Sequence, residues 1–200
     1  SEPYIRRAVE GSLDRLGVES IDLYQLHNPS LDIIQLGMVF DVLRALVTEG
    51  KIRHYGVSIH DPQEGIQAIQ LGQVDTVQAI YNLYDRRPEQ GLFAACAETN
   101  TGLIIREPFA RGFLTGRLVA DRTFHASDTR AVWPKPLIEK RVQAAAMLRE
   151  VLPRKGFQVQ VTLLHGAVVA IVAILLNHRQ RAAPFRRENR ARKNRQQDCE

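Results

Sequence analysis

At 200 residues the chain is long enough to bury a sizeable core and fits one domain or one and a half. Hydrophobic residues make up 44% and charged residues 24%, ordinary proportions for a soluble globular protein. The net charge of +5 lies in residues 179–200, where eight lysines and arginines face three acids, while residues 1–178 carry nineteen of each sign and sum to zero, so charge gives no support to a basic nucleic-acid-binding body.

The first stretch, residues 3–16, places Ile5, Val9, Leu13 and Leu16 at the three-and-four spacing of an amphipathic helix, with Gly17 as its stop. Residues 21–27, IDLYQLH, read as a short buried strand. Side chains alternate along a strand, so Leu23, Gln25 and His27 share one face and Asp22, Tyr24 and Leu26 the other. His27 stands at the carboxyl end, where parallel α/β architectures place their chemistry, and is the first site candidate.

Helical spacing returns in residues 36–48 and a second strand in 51–59. A helix opening with Pro62 covers 62–71, and a third strand covers 74–81. Residues 88–100 read as helix and 102–109, GLIIREPF, as a fourth strand. Helix and strand alternate about every thirty residues, the cadence of βαβ units and a parallel sheet, and the class is α/β. Residues 112–136, with Gly112, Gly116, Pro134 and Pro136, read as a long loop, and 137–151 as a further helix.

Residues 159–176, VQVTLLHGAVVAIVAILL, form the most apolar run. Gln160, Thr162, His165 and Gly166 interrupt it, and its β-branched second half suits a buried strand, so core helix plus strand from Val168 is favoured over the alternative of a membrane segment. Residues 1–178 are read as one α/β domain and 179–200 as a basic, disordered tail. Two cysteines, Cys96 and Cys199, are too few for a disulfide framework and lack metal-ligand spacing. The amino-terminal residues show no signal-type apolar stretch, and a reducing cytoplasm is the expected setting.

Four stretches carry a resemblance: SLDRLGVESIDLYQLHNP at 12–29, GKIRHYGVSIH at 50–60, VQAIYNLYDRRPE at 77–89 and REPFARGFLTGRL at 106–118. In this order they resemble the aldo/keto reductases, over residues 2–152. The resemblance implies a (β/α)8 barrel of the TIM type and a nicotinamide cofactor, usually NADPH with NAD not excluded, held without a glycine-rich Rossmann turn. No G-x-G-x-x-G occurs in the chain, in agreement. The implied reaction is hydride transfer between that cofactor and an aldehyde or ketone, the small-molecule partner. Neither nucleic acid nor membrane is expected as a partner.

By the same resemblance, His27 matches the histidine that orients the carbonyl, and Ser58 and Gln78 match the pair that holds the nicotinamide carboxamide. Ile59 stands where an asparagine is usual. Arg106 replaces the common aromatic residue that stacks on the nicotinamide. Glu107, Pro108, Phe109 and Ala110 would line the pyrophosphate path, with Arg117 as the cation compensating Glu107, and Gln180 resembles a residue of the last cofactor-binding helix.

Two departures shape the functional expectation. The resemblance begins in the helix before the family's fourth strand, so about five of eight strands are expected, and the tyrosine, aspartate and lysine of the family's catalytic group have no counterpart. Tyr24 lies on the strand face opposite His27, Tyr4 is in a helix, and Tyr55 and Tyr81 fall within later strands. The second departure is at residues 172–176, apolar where the family has its phosphate-binding glycine and arginine. The expectation is an NADP-dependent oxidoreductase polypeptide, a carboxyl-terminal portion with little activity alone; the alternative is a noncatalytic cofactor-binding or regulatory protein of the same fold.

Overall fold

Helix capping and strand alternation together set the first half of the chain. A computed structural model describes residues 1–151, 162–164 and 167–169. Helix α1 (Glu2–Leu16) starts with Pro3 in its first turn and ends at Gly17, whose N–H donates to the Leu13 carbonyl at 2.8 Å. Val9 and Leu13 are its buried residues, whereas Leu16 is exposed. Strand β1 (Ile21–His27) follows.

The helix expected over residues 36–48 is α3 (Met38–Thr48), and a short helix that was not expected, α2 (Leu31–Leu36), precedes it. The cause of the break between them is Gly37, at φ 72°, a left-handed conformation that ends α2. Ser30 caps α2 by accepting a hydrogen bond from the Ile33 N–H.

Strand β2 (Ile52–Ser58) leads to α4 (Pro62–Gly72), which Asp61 and Glu64 open with a reciprocal capping box. Then come β3 (Thr76–Ile80), α5 (Leu92–Thr99), β4 (Gly102–Arg106), a 3-10 segment at Ala110–Thr115 and α6 (Lys135–Val151).

The parallel sheet has four strands in the order β1-β2-β3-β4, each hydrogen-bonded to its neighbour in sequence. Among the described residues, one strand fewer than expected belongs to it. Strands β5 (Thr162–Leu164) and β6 (Ala167–Val169) pair antiparallel with each other in a separate two-stranded sheet. At 162–164 extended backbone, favoured by β-branched Thr162, stands where a helix was expected, and Val168 and Val169 are extended as expected. The rest of the predicted fifth strand, the tail 179–200 and Gln180 lie outside the described residues. Among the described residues no helix is long and apolar enough to cross a membrane.

The two faces of the parallel sheet differ in kind. The helix-covered face holds Tyr55, Val57, Val77, Ala79 and Leu103, all buried, against Val9 and Leu13 of α1, Phe40, Leu43 and Leu46 of α3 and Ala68 and Ile69 of α4. Gly72 lets the Phe40 ring approach: a Cβ there would lie 2.7 Å from it. The other face carries Leu23, Gln25, His27, His54, Gly56, Ser58, Thr76 and Gln78, small or polar for the most part. That division supports the stability on one side and the site on the other.

Candidate functional site

The register puts the expected residues into one line. Ser58 on β2 is the partner of both His27 on β1 and Gln78 on β3, and Gln78 is in turn the partner of Ile104 on β4. With neighbouring strands about 4.8 Å apart, His27 and Gln78 stand roughly 10 Å from each other at the carboxyl end of the sheet. One row nearer the amino end come Gln25, Gly56, Thr76 and Gly102.

A chain of hydrogen bonds fixes the polar side chains. The Ser58 hydroxyl donates to Gln78 Oε1 at 3.3 Å, Gln78 Nε2 to Gln25 Oε1 at 3.1 Å, and Gln25 Nε2 to Thr76 Oγ1 at 3.3 Å. This network passes over Gly56, where a Cβ would sit 2.5 Å from the Thr76 carbonyl oxygen. Ser58 and Gln78 between them offer a hydroxyl and an amide side by side, the complement of a primary carboxamide, which has one acceptor and two donors. These residues fit a nicotinamide.

His27 is exposed, with its Nε2 at 3.2 Å from Asn28 Nδ2. Asn28 itself adopts φ 49°, and its N–H donates to the Ser58 carbonyl at 2.8 Å. Its Oδ1 is buried and has no hydrogen-bond partner. A buried acceptor without a donor is costly, which makes Asn28 a candidate site residue that pattern reading missed. The available signal was an asparagine directly between the strand-ending histidine and Pro29.

Arg106 ends β4, and its Nη2 reaches the Ile59 carbonyl at 3.3 Å and His60 Nδ1 at 3.1 Å. The side chain therefore crosses over β3. Its Nε is buried without a partner. Ile59 is 1% exposed and packs in the helix-side core, so its side chain is unavailable for the role the usual asparagine would play.

Beyond β4 the backbone is left-handed at three non-glycine residues, Glu107 (φ 56°), Ala110 (φ 48°) and Arg111 (φ 55°). Such conformations cost of order 1–3 kcal/mol each and tend to gather at ligand sites. The Glu107 carboxylate pairs with Arg111 Nη2 at 3.0 Å, so the compensating cation is Arg111; Arg117 is exposed and in no ion pair among the described residues. Pro108 is half-buried, Phe109 exposed and Ala110 buried. Asn82 Nδ2 donates to the Glu107 carbonyl at 3.1 Å and ties the turns after β3 and β4 together.

The segment expected as a long loop is tied down. Arg130 forks onto Asp128 and donates to the Arg111 carbonyl at 2.7 Å, and Trp133 stacks on buried Phe113 with ring centroids 5.7 Å apart. A cleft of about 230 Å³ remains between this segment and β3, lined in part by Asn82, Tyr84, Glu107, Arg111, Trp133 and Arg141.

Of the five tyrosines none shares the face of His27 as a free donor. Tyr24 packs on the helix side; Tyr55 donates to the Gly72 carbonyl, Tyr81 to Glu89 and Tyr84 to the Arg141 carbonyl; Tyr4 is on α1. Burial pushes the phenols of Tyr24, Tyr81 and Tyr84 above their ordinary value, the wrong direction for a proton donor near neutral pH.

Comparison with known proteins agrees with the geometry. The model of the aldo/keto reductase family matches residues 1–166. An NADP(+) aldo-keto reductase of Schizosaccharomyces pombe is 34% identical over 139 residues, 68% of this chain and 41% of the relative. An NADH-specific methylglyoxal reductase of Escherichia coli is 32% identical over 131 residues, 64% of this chain and 40% of the relative. Among solved structures, a glycerol dehydrogenase from Gluconobacter oxydans superposes with TM-score 0.64 at 32% identity, covering 75% of this chain and 46% of that one. The holo form of an aldo-keto reductase from Bacillus halodurans gives 0.63 at 30% identity, covering 78% and 48%. The chain thus spans less than half the length of these relatives, and its four-stranded sheet is a partial barrel of their type. On the family match, the sheet register and the motifs alike, the chain belongs to the aldo/keto reductase family.

Proposed function

We propose that this chain forms the cofactor-gripping part of an NADP-dependent oxidoreductase, with NAD as the alternative nucleotide, acting on an aldehyde or ketone in a reducing cytoplasm. The observation that carries this reading is the row His27, Ser58 and Gln78 across three adjacent strands. When bound, the cofactor supplies or accepts the hydride. Ser58 and Gln78 hold its carboxamide, and His27, about two strands away, orients the substrate carbonyl and stabilises the negative charge that develops on its oxygen. Glu107 to Ala110 form the wall along the pyrophosphate, with Arg111 offsetting the Glu107 charge; Arg117 and Gln180 are further candidates for the nucleotide.

A second reading, binding without turnover, rests on the tyrosines: all five are engaged or misplaced for proton donation. The two readings part at one experiment. Titration of the purified chain with NADPH and with NADH, followed by Trp133 emission and circular dichroism, should show saturable binding that Gln78→Ala weakens by about tenfold, the loss of one or two hydrogen bonds. Absence of binding by the folded chain would overturn both readings. Turnover of a simple aldehyde at a rate typical of enzymes, about 1 per second or more, would overturn the view that this chain alone lacks its proton donor.

A further inference from the structure

Arg106 is a cation without a counter-ion: it is half-buried, makes no ion pair with any acid among the described residues, and leaves its Nε without an acceptor. Its guanidinium is nevertheless fixed, because one nitrogen reaches the Ile59 carbonyl and the ring nitrogen of His60. That reach runs from β4 across β3 to the residue following Ser58, so the charge lies over the carboxyl end of the Ser58 and Gln78 pair. No neighbouring acid among the described residues pairs with it. Glu107 is paired with Arg111, and Glu64 accepts from the backbone N–H groups of His60 and Asp61, outside ion-pair distance of Arg106.

We infer that Arg106 makes the site discriminate between the oxidation states of the nicotinamide, favouring the neutral dihydronicotinamide over the cationic pyridinium. The inference rests on the cofactor reading above. A fixed positive charge facing the nicotinamide would repel the pyridinium and leave the neutral form untouched, and a difference of about tenfold in affinity is expected. The phosphates are common to both forms and drop out of the ratio. The consequence is preferential loading of NADPH and rapid loss of NADP+, which directs a reversible hydride transfer toward carbonyl reduction.

The test is isothermal titration calorimetry of the full 200-residue chain with NADPH and with NADP+, at about 0.05 M and about 1 M salt. The ratio of dissociation constants, NADP+ over NADPH, should fall by about tenfold in Arg106→Gln and persist in Arg106→Lys, which keeps the charge. In the unmutated chain it should shrink at high salt. A ratio unchanged in Arg106→Gln, or insensitive to salt in the unmutated chain, overturns the inference while leaving nicotinamide binding intact. Failure of both forms to bind overturns the cofactor reading and this inference with it.

Discussion

Gly56→Ala is the substitution that most directly tests how the site is built. The Cβ it adds would meet the Thr76 carbonyl oxygen at 2.5 Å, where ordinary contacts begin at 3.4 Å, so β2 and β3 must part locally by roughly 1 Å. The obstacle is backbone, and no rotamer change relieves it. Overpacking of this kind costs about 1–3 kcal/mol. Parting also lengthens the bond from the Asp75 N–H to the Tyr55 carbonyl, now 2.9 Å, beyond useful range and removes about 1 kcal/mol more. The expected loss is about 2–4 kcal/mol. With an m-value of about 2 kcal/mol/M, the urea midpoint falls by about 1–2 M at constant m. Thr76 is also the end of the chain of hydrogen bonds through Gln25 and Gln78 to Ser58, so NADPH affinity should fall with the midpoint. Gly11→Ala is the control: its Cβ meets only the mobile tip of Arg15 at 3.1 Å, and helix propensity should stabilise that variant by about 0.5–1 kcal/mol. A Gly56→Ala midpoint equal to that of the parent chain would refute the close approach of the two strands.

Phe40, fully buried between α3 and Gly72, should cost about 3–5 kcal/mol on replacement by alanine, read as a lowered urea midpoint with native-like circular dichroism before unfolding. Arg130 holds the Asp128 carboxyl down at about 2, below its unfolded value near 3.8, so the pair's stabilisation is complete above about pH 4 and is lost as pH falls toward 2; Asp128→Asn should narrow the gap to the parent over that window, and a constant gap would contradict the pairing. Burial pushes the Cys96 thiol up to about 11, and mass spectrometry after iodoacetamide at about pH 8 should find it unmodified in the folded chain and alkylated in urea.

What could be read from sequence was whatever depends on local period and chain order. The alternation of Leu23, Gln25 and His27 and the βα cadence place His27 at the carboxyl end of its strand, the family resemblance supplies Ser58 and Gln78, and the sheet register aligns the three. Gly37 was hidden because apolar residues continue at helical spacing on both sides of it, and only its left-handed backbone breaks the helix. The partnership of Glu107 with Arg111 was hidden for a related reason. Ala110 and Arg111 are left-handed although neither is a glycine, and only Gly112 after them announces a turn, so the more distant Arg117 was expected as the cation. Asn28 was likewise beyond local pattern, since what marks it is a buried atom with no partner, a property of packing between strands.

The division of the sheet into two faces has a further consequence for how the grip forms. Every strand pairs with its neighbour in sequence, so the row from His27 to Ile104 assembles from contacts short in sequence and without barrel closure. The apolar side of each strand, Val57, Val77, Ala79 and Leu103, is packed under α1, α3 and α4, whereas the site side spends few apolar residues on cohesion. Substitutions on the two sides should therefore separate cleanly. Gln78→Ala removes a hydrogen-bonding group from the polar side and should act on nicotinamide binding with a small change in stability, while Val77→Ala, one residue earlier, should lower stability by about 1–3 kcal/mol and leave the affinity of the folded chain unchanged. If both variants moved affinity and stability together, the two faces would not be independent and the grip would owe its form to the core beneath it.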